Sequence, residues 1–290
     1  MTTSSETAVL GQFIPLYYHS NMLRDSARMT AFKEALSKVV PHQGRVLELG
    51  GGTGVLSFFA AQRASKVWCV EKNPELVKAS REFLSLNSYQ DKIEVIEADA
   101  LDYLPPEPVD VVICEMIHVA MLREKQIQVI NSFKERYRKK FGEKLPVFVP
   151  EAAIMAVQPV HQSFDFFGFY APTPLFYDPQ VIQNETQVLG DPHNYQMFIY
   201  HQDVPNEFAW QGSLTMTTPG TVNALRFITK NVLAIVVAEN RTIDWFSQYL
   251  VVPISEPIVV QKGDQIHVRF AYQAGASIEA LSESIEVAKL

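Results

Sequence analysis

Residues 45–114 alternate short apolar runs with helical stretches, and no other feature of this chain restricts its fold as strongly. Arg45–Leu49 is an apolar run that ends in Gly50-Gly51-Gly52. Residues 55–64 read as a helix, 66–70 as a second strand, and 74–86 as a second helix with Pro74 at a favoured first-turn position. Residues 93–96 and 109–114 supply further strands. Strands joined through helices imply right-handed crossovers and a parallel sheet, hence a doubly wound α/β unit. After Pro150 the helical periodicity fades, and short β-rich stretches stand between Pro, Gly and Asn. In the clearest of them, Ile258-Val259-Val260 and residues 265–272 flank Lys262-Gly263-Asp264. Ile266, Val268, Phe270 and Tyr272 face one way, His267 and Arg269 the other, which reads as a hairpin with one wet face. Residues 224–239 and 248–255 read as more strands, so an antiparallel β unit is expected to follow the α/β unit. The basic run 134–144 is expected to cover the solvated C-terminal end of a helix, where cations suit the dipole.

Composition narrows the class. The chain has 290 residues, 47% hydrophobic and 20% charged, enough for one large domain or two modest ones. Disorder, a collagen repeat and a coiled coil are excluded as its main organisation. Residues 1–13 lack the basic and apolar regions of a secretory signal, and no apolar run approaches the ~18 residues of a membrane span. Cys69 and Cys114 each sit inside an apolar run, which leads us to expect reduced thiols and a cytoplasmic address. The net charge of −7 argues against nucleic acid as a partner and favours cationic substrates.

Glu48-Leu49-Gly50-Gly51-Gly52-Thr53-Gly54 follows a strand and opens a helix, where glycines permit a tight turn and close backbone approach to a ligand. Glu71 lies at the end of the second strand, placed to grip two ribose hydroxyls. The alternative is a purely structural turn. A dinucleotide fingerprint places its third glycine three residues after the second, whereas here Gly50, Gly52 and Gly54 keep a two-residue period behind the acidic Glu48. An acid at the strand tip repels a pyrophosphate and suits the ammonium and sulfonium of S-adenosylmethionine (AdoMet). AdoMet is therefore the expected cofactor.

A buried strand, 109–114, runs straight into Glu115, with Glu124 nine residues on. Ligands in doubly wound sheets bind outside the carboxyl ends of the strands. If residues 116–123 fold back, both carboxylates converge beside the donor and can hold a guanidinium by charge-assisted, bidentate hydrogen bonds. The alternative is that Glu115 caps the next helix and Glu124 is solvated.

Cys114-Glu115-Met116-Ile117 and Leu122-Arg123-Glu124 resemble the double-glutamate loop of the protein arginine N-methyltransferases, class I AdoMet-dependent enzymes. Residues 46–57 are similar to that family's donor loop, and Glu71 falls at its ribose-binding acid. His19-Ser20-Asn21-Met22-Leu23-Arg24-Asp25 and Arg28 resemble its N-terminal donor lid. The resemblance implies that Arg28 meets the AdoMet carboxylate, His19 lines the donor site and Met22 borders the transferred methyl. Asp99 and Ala100 match the loop over the adenine, and Pro150-Glu151-Ala152 falls where the family's β-barrel begins. It implies a helical lid over 1–40, a Rossmann-like AdoMet-binding domain over 41–149 and a β-barrel-like substrate domain over 150–290. Glu115 and Glu124 become the expected catalytic pair, acting on arginine in a protein or peptide, on free arginine, or on a small guanidine.

Two departures stand out. The family's Trp-Met-Gly is here Met116-Ile117-His118, and its Thr-His-Trp falls at Ile243-Asp244-Trp245. Asp244 adds a third possible carboxylate near the cleft, or is a turn residue; Trp245 lines the cleft or fills the barrel. Both are candidate substrate-binding residues. A free amino acid acceptor, whose ammonium needs a counter-ion, thereby enters beside a peptide arginine. His118, His161, His193, His201 and His267 show no metal-site spacing, so no metal is expected. Two rival readings are a methyltransferase of another small-molecule acceptor, on nitrogen or oxygen, and a catalytically silent AdoMet-binding scaffold. The family dimerises through an arm inserted in its barrel. Residues 164–189, rich in Phe and Pro, are the candidate arm, and a homodimer is expected.

Overall fold

The computed structural model describes residues 14–290. Residues 1–13, where the secretory-signal reading and the start of the expected lid fall, lie outside the described residues. The described residues open with two helices, α1 (Leu16–Arg24) and α2 (Ser26–Val39). Between them Asp25 ends one helix and caps the next, its carboxylate accepting from Arg28 N at 2.9 Å. Strand β1 (Arg45–Leu49), α3 (Val55–Ala61), β2 (Lys66–Glu71), α4 (Pro74–Ser85), β3 (Ile93–Glu97), β4 (Val111–Cys114), α5 (Gln126–Phe141) and β5 (Val147–Val149) follow. Pro74 takes the first turn of α4, and Asn73 caps it by accepting from Glu75 N. The five strands form one parallel sheet in the order β3-β2-β1-β4-β5. Its central strands are buried almost throughout, as a sheet covered on both faces requires.

The remainder is antiparallel. β6 (Ala152–Gln162) and β13 (Gly220–Val236) form the spine of a seven-stranded curled sheet. To them are added β9 (Leu175–Tyr177), β10 (Thr186–Val188), β11 (His193–Ile199), β14 (Arg241–Phe246) and β15 (Tyr249–Val260). A three-stranded sheet of β12 (Glu207–Thr215), β16 (Gln265–Gln273) and β17 (Glu286–Lys289) packs against it, with α6 (Ile278–Ser284) between its last two strands. Phe227, Leu250 and Val252 of the large sheet meet Ile266, Val268 and Phe270 of the small one in a single core. A doubly wound Rossmann-like unit is thus followed by a β-barrel-like unit.

Three expectations need correction. β15 and β16 exist, and β16 buries Ile266, Val268, Phe270 and Tyr272 as its alternation foretold, but the two do not pair. The turn around Gly263 carries the chain from one sheet to the other, because Gly263 N bonds Met216 O rather than closing a hairpin. Lys134 does not belong to a solvated helix end: it is buried, with Nζ donating to Tyr200 O (3.1 Å) and Gln202 O (2.5 Å). Arg138, Lys139 and Lys140 do occupy the last turn of α5. The candidate arm is not one unit. Phe164 and Leu189 are buried in the barrel's own core, β10 pairs with β6 and β9 with β15. Only a hairpin, β7 (Asp165–Phe166) and β8 (Phe169–Tyr170), presents its aromatics to solvent.

Candidate functional site

In the central strand's register Leu49 stands beside Cys114 on one side and Val70 on the other. Gly50 and Glu115 therefore leave the sheet at its carboxyl edge, level with Glu71, the last residue of β2. The strand order reverses between β1 and β4, which is where an open α/β sheet parts its loops and holds a ligand. A cavity of ≈ 1900 Å³ opens at this point, between the sheet edge, the two N-terminal helices and the barrel.

Its floor is the glycine loop. Gly50 (φ +81°) and Gly52 (φ +54°) adopt left-handed backbone that side chains disfavour. A Cβ at Gly50 would lie 2.8 Å from Met116 Cγ, and one at Gly52 2.9 Å from His19 Cε1. Glu71 braces the loop from below, one oxygen accepting from Gly52 N and the other from Lys72 N and Asn73 N, all at 2.8 Å. A carboxylate has about four lone-pair positions, so Glu71 retains acceptor capacity for a hydroxyl. Glu48 also lines the cavity; it is buried, with Ser57 Oγ of α3 donating to its carboxylate, and burial pushes its pKa up to about 7.

The N-terminal helices form the roof. The His19 ring lies over Gly52, and its Nε2 is buried without a hydrogen-bond partner among the described residues. Burial, and then the nearby Arg28, lower its pKa. Met22 lines the same wall. Arg28, in the first turn of α2, is buried, bonds Glu115 through Nη2, and lies within cation–π distance of the rings of Phe32 (5.3 Å) and Trp245 (5.9 Å), which also pack on each other. Across the cavity, Asp99 pairs with Lys72 at 2.7 Å and caps Leu101 N at 3.0 Å, beside the buried Ala100.

Residues 116–124 do fold back. Ala120, Met121 and Arg123 all have positive φ near +60°, a strained path for residues with side chains. Neighbours over-determine it. Gln126 accepts from Met116 N (2.9 Å) and donates to Cys114 O (2.6 Å), Thr229 Oγ1 of β13 accepts from Ala120 N (2.8 Å), and Arg123 N reaches Ala276 O (2.8 Å). Glu115 caps no helix, since α5 begins at Gln126 behind Lys125. Glu115 and Glu124 line one cavity wall. Burial, and then the charge of Glu115, push the Glu124 pKa up to about 8 against the opposing pull of Arg123 and Arg28. Two carboxylates in the lining of one cavity, the charge of one felt by the other, form a site for a cation. The cavity lining agrees, with nine carboxylates against five lysines and arginines.

His118 follows, edge-on to Phe176 at 5.5 Å, and burial lowers its pKa to about 4. Asp244 and Trp245 both line the cavity. Trp245 also packs on Phe32, so it serves the wall and the core together. Sequence reasoning missed Gln126, Thr229 and Ala276. An amide in the first turn after the second glutamate was the one readable signal; the other two come from segments over a hundred residues away. Among the described residues no group of three His, Cys, Asp or Glu side chains is arranged to hold a metal ion.

Comparison with known proteins agrees with this geometry. Residues 46–140 match the family model described as a methyltransferase domain. An uncharacterized protein of Methanothermobacter thermautotrophicus is 29% identical over 268 residues, covering 92% of this chain and 97% of its own. Protein arginine N-methyltransferase PRMT10 of Oryza sativa subsp. japonica is 34% identical over 148 residues, which is 50% of this chain and only 38% of that protein's length. The fold matches a chain of the Trypanosoma brucei PRMT1 enzyme-prozyme heterotetrameric complex with AdoHcy, at a TM-score of 0.73 and 17% identity over 94% of this chain and 98% of that one.

Proposed function

We propose that this chain, an AdoMet-dependent class I methyltransferase of protein arginine N-methyltransferase-like architecture, transfers methyl to a guanidinium nitrogen. The observation that carries the acceptor is the Glu115–Glu124 pair: two carboxylates brought by the fold-back of residues 116–124 into the lining of the cavity that the glycine loop also lines. AdoMet fits the residues present, because Glu71 keeps acceptor capacity at the edge of the glycine loop and the buried His19 Nε2 in the cavity lining has no hydrogen-bond partner among the described residues. When bound, AdoMet supplies an electrophilic methyl group on a sulfonium.

The protein's part is binding and alignment. Glu71 would hold the ribose hydroxyls, Asp99 and Ala100 the adenine edge, and Met22 the flank of the methyl. Arg28 would reach the donor carboxylate. Its guanidinium has five N–H donors; Nη2 donates to Glu115 and Nη1 to Met29 Sδ (3.7 Å), which leaves donors over, so one side chain can touch both donor and acceptor machinery. Glu115 and Glu124 would draw positive charge onto the two non-reacting nitrogens and leave the attacking nitrogen's lone pair directed at the methyl. Such orientation and preorganised charge are each worth several kcal/mol, of order 3 or more. The strained 116–124 loop keeps the pair in place before the acceptor arrives.

A panel of guanidino, hydroxyl and ordinary amine acceptors, incubated with methyl-labelled AdoMet and resolved by mass spectrometry, tests the assignment. Label on guanidino nitrogen is the expected result. Label confined to hydroxyls or amines, or donor binding with no transfer to any acceptor, would replace it with one of the two rival readings.

A further inference from the structure

The cavity that Glu115 and Glu124 line carries another carboxylate, whose hydrogen bonding is half complete. Asp244 lies on β14 opposite Val232, at the point where the register of β13 and β14 shifts. Its Oδ2 accepts from Thr242 Oγ1 (2.9 Å) and pairs with Lys230 Nζ (2.8 Å). Its Oδ1 is buried and has no hydrogen-bond partner among the described residues. A buried carboxylate oxygen left unpaired is costly, of order 1–3 kcal/mol or more, and such an atom in a cavity wall marks where a ligand donor belongs. Asp244 lines the main cavity and also a side cavity of ≈ 440 Å³ bordered by Ser26, Ala27 and Gln180. The link to the glutamate pair is short: the next residue, Trp245, lies against Arg28, which bonds Glu115.

We propose that Asp244 is the specificity-determining residue of the acceptor site, its Oδ1 receiving an ammonium that the acceptor carries in addition to its guanidinium. The acceptor class is then a small guanidino amine or amino acid with a free ammonium. This rests on the guanidinium reading above. A charged donor suits a carboxylate better than a neutral amide N–H does, because charge-assisted hydrogen bonds are roughly twice as strong. The surplus of carboxylates around the cavity favours a second positive charge on the acceptor. Lys230 and Thr242 hold Oδ2, which leaves Oδ1 as the oxygen with a vacant acceptor position. An arginine inside a peptide offers a neutral amide at the same position.

The test compares two acceptors that differ only in that ammonium, L-argininamide and Nα-acetyl-L-argininamide, with an uncharged-flank arginine peptide as a third. The wild-type protein is expected to use argininamide roughly tenfold more efficiently than its acetylated form, with the difference in KM. In Asp244→Asn the two should converge to within about twofold. Lys230→Met, which removes the competing cation, should widen the preference. Equal use of both by the wild type, better use of the peptide, or a preference that survives Asp244→Asn would overturn the proposal while leaving guanidinium methylation standing. No transfer to any of the three, or to any other guanidine, would overturn both. Melting curves establish that the variants fold; if Asp244→Asn does not, Lys230→Met decides, an unchanged preference counting against the proposal.

Discussion

Gln126 holds the reacting loop from behind, buried, with its amide spanning Met116 N and Cys114 O. Gln126→Leu keeps the volume and strands both partners, at a cost of about 1–3 kcal/mol each. We expect lower stability in urea and a fall in kcat larger than any change in donor affinity; a variant with unaltered kcat would show that the loop needs no such brace. Glu124 sets a pH dependence whose sign follows from its environment. Its pKa rises from an ordinary 4.5 to about 8, and that of Glu48 from 4.5 to about 7. Between those limits the folded protein binds protons that the unfolded chain has released. This contribution to stability is therefore full below about pH 4.5 and is lost as pH rises through 7 to 8. In donor-free protein, Glu124→Gln should flatten that decline and raise the melting temperature at pH 8.5 while impairing acceptor use. Melting curves from pH 5 to 9 measure it, and a variant less stable than wild type at pH 8.5 would refute the burial account.

At the scale of elements, the N-terminal helices depend on Asp25. It is the cap of α2, and the residue whose N–H it accepts is Arg28, the arm that reaches Glu115. Asp25→Ala should cost about 1 kcal/mol of stability. Because the frayed turn carries Arg28, calorimetry should also show weaker AdoMet binding; unchanged affinity would separate the cap from the site. The sequence made the α/β elements legible because each carries its own period and punctuation: Pro74 and Asn73 open α4, and Gly54 opens α3. Glu71, Glu115 and the glycine loop could be placed because register alone brings the ends of β1, β2 and β4 together. The barrel was less legible. β15 and β16 show the residues and turn of a hairpin, and only the packing of two sheets reveals that the turn joins different ones. Nor does any local pattern announce that Thr229 supports Ala120, or that Asp244 finds Lys230 across a bulge.

For the whole molecule, the exposed hairpin is the feature most in need of a partner. Phe167 and Gly168 form its tip, both with positive φ, and Phe166, Phe167, Phe169 and Tyr170 are exposed together. Exposed aromatics also occur on the donor-binding unit, among them Tyr17 and Tyr18 of α1. Contiguous apolar surface of this kind marks interfaces. The hairpin springs from the buried Phe164, whose carbonyl accepts from Ala171 N at 2.9 Å and closes its base. We predict a homodimer, with each hairpin on its partner's N-terminal helices and the donor lid ordered by the contact. Light scattering at micromolar concentration should give twice the chain mass of 32.8 kDa, and a clean monomer would exclude the dimer. Phe166→Ser with Phe167→Ser should yield a folded monomer with weakened AdoMet binding; undiminished binding would uncouple assembly from the site.

The central claim is that Glu115 and Glu124 hold a guanidinium for methylation, and Glu115→Gln reaches it most directly by removing one charge and keeping the shape. The measurement is methyl incorporation at guanidino nitrogen, by mass spectrometry, in wild type and Glu115→Gln at saturating AdoMet. The account predicts methylation by the wild type and a loss of roughly a hundredfold or more in the variant. Wild-type turnover in Glu115→Gln would contradict it.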